Sequence, residues 1–186
     1  GVVTPGANPI STACGLQAIK LIADNLPIVA DNGGDLLGRQ NMLVAATLAG
    51  IALGPGLGIA HSYAHTIGSL LGVHHGTACG IGLPKAMRFN RDYATARLAQ
   101  VAQALGVDTR GMDDGEAADA AADAVEALMK RIGQPLRLTE LGIAADKIMA
   151  SFPALIGGTM SDLNGGSNPR PVVDPQAVTE LIQATI

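Results

Sequence analysis

The chain contains no tryptophan, and Tyr63, Phe89, Tyr93 and Phe152 are its only tyrosines and phenylalanines. Sheets usually fill their faces with aromatic and β-branched residues. A core left to alanine, leucine, isoleucine and glycine instead favours closely packed helices. Basic runs are also missing, and the formal net charge is −4, which argues against nucleic acid or an anionic membrane as partner. Cysteine is scarce: Cys14 and Cys79 lie far apart, each in a predicted helix. They read as buried thiols of a reduced, cytosolic protein rather than as a disulfide. The longest apolar stretch, Met42 to Ala60, is broken by Gly50, Gly54, Pro55, Gly56 and Gly58. It reads as a buried helix running into a turn, not as a membrane span. The opening residues lack the basic and apolar regions of a signal peptide. They also lack an initiator methionine, as expected of a processed or truncated product.

What is present is a succession of helix signals. At 186 residues the chain can bury one sizeable core, and the expected architecture is all-α, a single domain over residues 1–186. Asn8-Pro9 is a cap followed by proline at the first helical position, opening a helix expected to end at Pro27. Asp35 caps a second helix that Gly54-Pro55-Gly56 stops. A third runs from about Leu57 to Leu71, and a fourth from near Gly76 to Phe89-Asn90. Asp92 opens a fifth, which Gly106 ends. Asp113 and Glu116 form a capping box for a sixth. Gln134 to Gly142 is a connector, Asp146 to Ile156 a shorter helix, Gly157 to Val173 a loop, and Asp174-Pro175 starts the last helix. Gly54-Pro-Gly-Leu-Gly58 looks like a phosphate cradle, but a helix and not a strand precedes it, so a helix-to-helix turn is the better reading.

Chemistry concentrates in one place. All four histidines, His61, His65, His74 and His75, lie within fifteen consecutive residues. Neutral imidazole is the commonest metal ligand. His61 and His65 are four apart and share a helix face. Gly76, next to His75, is expected to end one helix and let another begin, returning a third imidazole to the first two.

The run Gly58-Ile-Ala-His61-x3-His65-x9-His75-Gly76, followed by Gly82-Leu83-Pro84 and Met87-Arg88-Phe89-Asn90, resembles a signature of the iron-containing (group III) alcohol dehydrogenases. Asn8 to Leu26 and Gly165-Gly166-Ser167-Asn168-Pro169-Arg170 extend the resemblance over essentially the whole chain. It is to the C-terminal helical domain alone of this dehydroquinate-synthase-like fold. The resemblance implies His61 and His75 as metal ligands and His65 as a non-ligand histidine beside the nicotinamide and substrate, with a catalytic proton-relay role. It implies a divalent metal, iron first and zinc as the alternative, and NAD or NADP bound by an N-terminal α/β domain missing from this chain. Small alcohols, aldehydes or ketones would be the substrates. The family's other two ligands, an aspartate and a histidine four residues apart, would precede Gly1; Asp24, Asp31 and Asp35 do not stand in that motif. The fragment alone is accordingly expected to bind metal weakly and turn over little, and its exposed cleft side to favour self-association.

Two positions depart from the family. His74 stands where relatives have proline and reads as a rim residue; Lys85 replaces a histidine and reads as a solvated helix residue. Tyr63 and Phe89 are expected in the core, and Asn168-Pro169-Arg170 either lines the cleft or serves as a cap and turn. The rival to an enzyme is a non-catalytic helical interaction module whose histidines are incidental or hold a structural metal.

Overall fold

A computed structural model describes residues 1–186 and contains helices and turns without a strand. Nine α-helices follow one another: α1 (Pro9–Asp31), α2 (Leu36–Ala52), α3 (Ile59–Leu71), α4 (His75–Phe89), α5 (Thr95–Ala104), α6 (Asp114–Arg131), α7 (Ala145–Ala150), α8 (Phe152–Ser161) and α9 (Pro175–Gln183). The caps read from the sequence are in place. Asn8 Oδ1 accepts from the Ile10 and Ser11 amides, Asp35 from Gly38, Asp174 from Gln176, and Asp113 and Glu116 bond each other's amides reciprocally. Each such cap satisfies amides that the helix itself leaves without partners.

Two apolar clusters hold the fold together. One joins α3, α4, α8 and α9 around Ile59, Tyr63, Ile67, Ile81, Leu155 and Ile182. The other joins α5 and α6 to Val2 and Met87 through Leu98, Val101, Ala118 and Val125. Alanine and glycine let these helices approach closely. A Cβ on Gly82 of α4 would lie 2.6 Å from the Tyr63 ring of α3, and one on Gly158 of α8 would lie 2.6 Å from Thr66. Helices α1 and α2 form a hairpin that leans on α5 and α6 through α1. By length and composition alone α1 would suffice to cross a bilayer; here it packs along α2.

Several boundaries differ from expectation. Helix α1 runs through Pro27 to Asp31. The penalty of an internal proline, about 3 kcal/mol, is opposed by packing of the last turn, where Val29 closes on Gly38. Gly76 lies inside α4; the residue that ends α3 is Gly72, in the left-handed region at φ 73°. Asp92 belongs to a short 3₁₀ turn, Arg91–Tyr93, and α5 starts at Thr95. The single helix expected over Asp146 to Ile156 breaks at Ser151 into α7 and α8, because Pro153 has no amide hydrogen to continue the ladder. Helix α8 then continues through Gly157 and Gly158 to Ser161, and Leu163–Ser167 is a 3₁₀ turn.

The loop carrying Asn168 closes the molecule. Its buried side chain accepts from the Ile59 amide at 3.1 Å, capping α3 from 109 positions away, because Gly58 has no side chain to do so. Asn168 and Asn90 exchange amide hydrogen bonds at 3.0 and 2.6 Å. The Asn-Pro-Arg motif therefore serves as a cap and turn, and its Asn168 and Pro169 also line an apolar groove that reaches His61. Arg170 folds back over the Phe89 ring, 4.4 Å from its centroid.

Candidate metal centre

Helix α3 presents His61 and His65 one turn apart. The Gly72-Val73-His74 turn then delivers His75 as the first residue of α4. The three rings converge: centroids lie 5.5 Å apart for His61 and His75, 5.3 Å for His65 and His75, and 6.2 Å for His61 and His65. His74 precedes α4 as an exposed residue and makes no side-chain cap, as expected of a rim position.

His61 is half-buried. Burial and the neighbouring His75 and His65 rings lower its pKa from the ordinary 6.5, which favours the neutral, lone-pair-bearing form that a metal requires. An apolar groove of about 450 Å³, lined by Val2, Ile22, Leu53, Leu57 and Met87 among others, reaches His61.

His65 is held differently. Its Nδ1 lies 3.0 Å from Asp162 Oδ2, a bond that puts the proton on Nδ1 and leaves Nε2 as the basic nitrogen. Asp162 is itself fixed, since Oδ1 accepts from the Asn164 amide and side chain at 2.9 and 2.8 Å. Burial pushes the Asp162 carboxyl up, but hydrogen bonds from His65 and Asn164 outweigh it and hold the pKa at about 2. The carboxylate therefore stays charged beside the ring.

Two residues of this centre escaped the sequence reading. Cys79, whose sequence context suggests a buried structural thiol, is half-exposed beside the histidines, with Sγ 3.5 Å from His75 Nε2. Its signal was present: it stands four residues after His75, the spacing that pairs His61 with His65. Asp162 gave no local signal, being 97 positions from its partner in a segment read as loop. Lys85 is also not solvated. Its side chain is only 11% exposed and bonds Glu126 of α6 at 3.2 Å. It lines a charged cavity of about 570 Å³ together with Arg88, Arg137, Glu140 and Glu180, and none of the histidines belongs to that cavity.

The donor set suits a divalent transition metal. Ligand atoms of His61, His75 and Cys79 all lie within 4.8 Å of one another, and imidazole and thiolate are donors for such ions.

The model of the Fe-containing alcohol dehydrogenase family, C-terminal, matches residues 1–186. The 1,3-propanediol dehydrogenase of Citrobacter freundii is 36% identical over 169 residues, covering 90% of this chain and 43% of that protein. The NAD-dependent methanol dehydrogenase of Bacillus methanolicus is 33% identical over 182 residues, 97% of this chain and 46% of that protein. Among solved structures, a 1,3-propanediol oxidoreductase superposes with a TM-score of 0.93 at 32% identity, covering 99% of this chain and 47% of that one. An alcohol dehydrogenase from Oenococcus oeni gives 0.93 at 30% identity, covering 100% and 47%. The chain thus spans somewhat under half the length of these relatives.

Proposed function

Because the chain belongs to the Fe-containing alcohol dehydrogenase family, we propose that it is the helical, metal-holding half of a nicotinamide-linked dehydrogenase that interconverts small alcohols and aldehydes. The observation that carries this reading is the approach of His61 and His75, whose ring centroids lie 5.5 Å apart where α3 meets the start of α4. His61 and His75 are the ligands this chain contributes to a divalent metal, iron or zinc. When bound, that ion supplies Lewis acidity toward the substrate oxygen. NAD or NADP belongs to an α/β domain that precedes Gly1 in the full-length protein, and hydride transfer is the cofactor's chemistry. The name of the methanol dehydrogenase relative favours NAD. The propanediol, methanol and lactaldehyde relatives favour a short, polar substrate.

The role of His65 is to move a proton. With Nδ1 donating to Asp162, Nε2 is the atom that takes the hydroxyl proton during oxidation and returns it during reduction. The Asp162 carboxylate, ionised down to a pKa of about 2, stabilises the imidazolium so formed. The His65 side chain is 44% exposed, so the proton can pass on to water. The apolar groove at His61 offers contact for the carbon end of a substrate. Free thiols at Cys14 and Cys79 suit a reducing, cytosolic setting. The 186 residues alone, with two imidazoles in place of a four-ligand site, hold metal less firmly and turn over little.

The test is NAD(P)-linked oxidation of short primary alcohols by the full-length protein and its variants. His61→Ala and His75→Ala should abolish turnover. His65→Ala should lower the rate and flatten its pH profile. Activity that survives loss of His61 or His75 refutes the assignment of ligands; an unchanged rate and pH profile for His65→Ala refutes the relay.

A further inference from the structure

We propose that Cys79 is a third donor from this chain to the metal held by His61 and His75, so that the chain's share of the centre is two nitrogens and one sulfur. The inference rests on the reading that these two histidines bind metal. Cys79 lies one turn beyond His75 on α4, so both side chains occupy one helix face. Sγ stands 3.5 Å from His75 Nε2. In a tetrahedral site with zinc–sulfur and zinc–nitrogen bonds of about 2.3 and 2.0 Å, sulfur and nitrogen are separated by about 3.5 Å. The cysteine–histidine edge therefore already has the required length. The third donor completes the cluster, since ligand atoms of His61, His75 and Cys79 lie mutually within 4.8 Å, a distance that side-chain rotation can close. His65 is not a member of this cluster of mutually close ligand atoms.

A thiolate changes what the centre prefers. A thiolate donor tilts the centre toward zinc relative to a site of nitrogen and oxygen alone. On ligation the thiol gives its proton to solvent, so each metal ion bound at Sγ releases one proton. In the full-length protein Cys79 joins the two upstream ligands that the family resemblance implies, and the substrate oxygen approaches the same ion.

Cobalt(II) substitution of the metal-free full-length protein tests this without reference to activity. The native protein should show visible d–d bands together with a near-ultraviolet thiolate-to-cobalt charge-transfer band. Cys79→Ser should lose the charge-transfer band, keep the d–d bands and bind cobalt at least about tenfold more weakly. It should also discriminate less between zinc and ferrous iron. His61→Ala and His75→Ala should lose both sets of bands. Visible bands without a thiolate band in the native protein, or a Cys79→Ser spectrum identical to native, overturn the role of Cys79 and leave the two-histidine reading standing. Absence of any cobalt spectrum overturns both. X-ray absorption of the zinc-loaded native protein decides the same question with no substitution: one sulfur near about 2.3 Å supports Cys79, and a shell of nitrogen and oxygen alone refutes it.

Discussion

Replacing Asn168 by alanine should be among the most damaging single changes at a residue that holds no metal and moves no proton. Asn168 is 6% exposed and lies between three segments. Its Oδ1 accepts from the Ile59 amide and from Asn90 Nδ2, and its Nδ2 donates to Asn90 Oδ1 and the Arg170 carbonyl. Asn90 Oδ1 keeps one partner after the substitution, the Arg170 amide at 3.2 Å. The Ile59 amide and Asn90 Nδ2 keep none. A buried donor left without an acceptor costs about 1–3 kcal/mol, so two of them amount to about 2–6 kcal/mol, with a middle value of about 4 kcal/mol. For a chain of this size, about 2–4 °C of Tm is lost per kcal/mol, giving a fall of about 10 °C. Thermal unfolding by circular dichroism measures it. The Asn90→Ala, Asn168→Ala double variant should cost less than the sum of the single changes, because removing both members leaves fewer orphaned groups. Amide exchange at the start of α3 should quicken, since Ile59 stands two residues before His61. A Tm change within a degree or two, or strict additivity of the pair, would refute the claim that this bond network anchors α3.

Three further outcomes are expected. Gly82→Ala places a Cβ 2.6 Å from the Tyr63 ring; overpacking of about 1–3 kcal/mol should exceed the helix-propensity gain of about 1 kcal/mol and lower the urea midpoint, whereas an unchanged midpoint contradicts tight α3–α4 contact. Pro27→Ala restores an amide inside α1 and should stabilise the chain by about 1 kcal/mol, part of the proline penalty; a loss of stability would show that the proline is required by the α1–α2 packing. Asp162→Asn should be less stable than the native chain above about pH 4, with the difference vanishing toward pH 2. The sign follows from a folded pKa of about 2 against an ordinary 3.8: the native carboxylate's stabilisation is complete above the ordinary value and lost as pH falls through the folded one. Urea titrations at several pH values read it directly, and a gap that persists unchanged at pH 2 contradicts the ion pair.

Local chemistry made much of this fold readable. Caps at Asn8, Asp35, Asp113 and Asp174 announce their helices because each bonds an amide two or three residues away. The clustered histidines announce the centre for the same reason, as α3, a short turn and the start of α4 are contiguous. What stayed hidden depends on contacts between distant segments. Helix α1 continues past Pro27 because α2 supports it, and α8 runs through two glycines because Thr66 of α3 packs there. Lys85 looks solvated until α6 brings Glu126 alongside, and Asp162 has no meaning in the sequence until α8 packs on α3. Cys79 was legible by spacing but looked like an ordinary core thiol, since α4 buries Ala78 and Gly80 on either side of it.

The central claim is that His61 and His75 jointly hold a divalent metal, and calorimetric titration of the metal-free full-length protein with zinc tests it most directly. One ion should bind per chain, and either His61→Ala or His75→Ala should weaken binding by more than about tenfold, while His74→Ala, at the exposed position just before α4, should leave it unchanged. Equal affinities for all three variants would contradict the account.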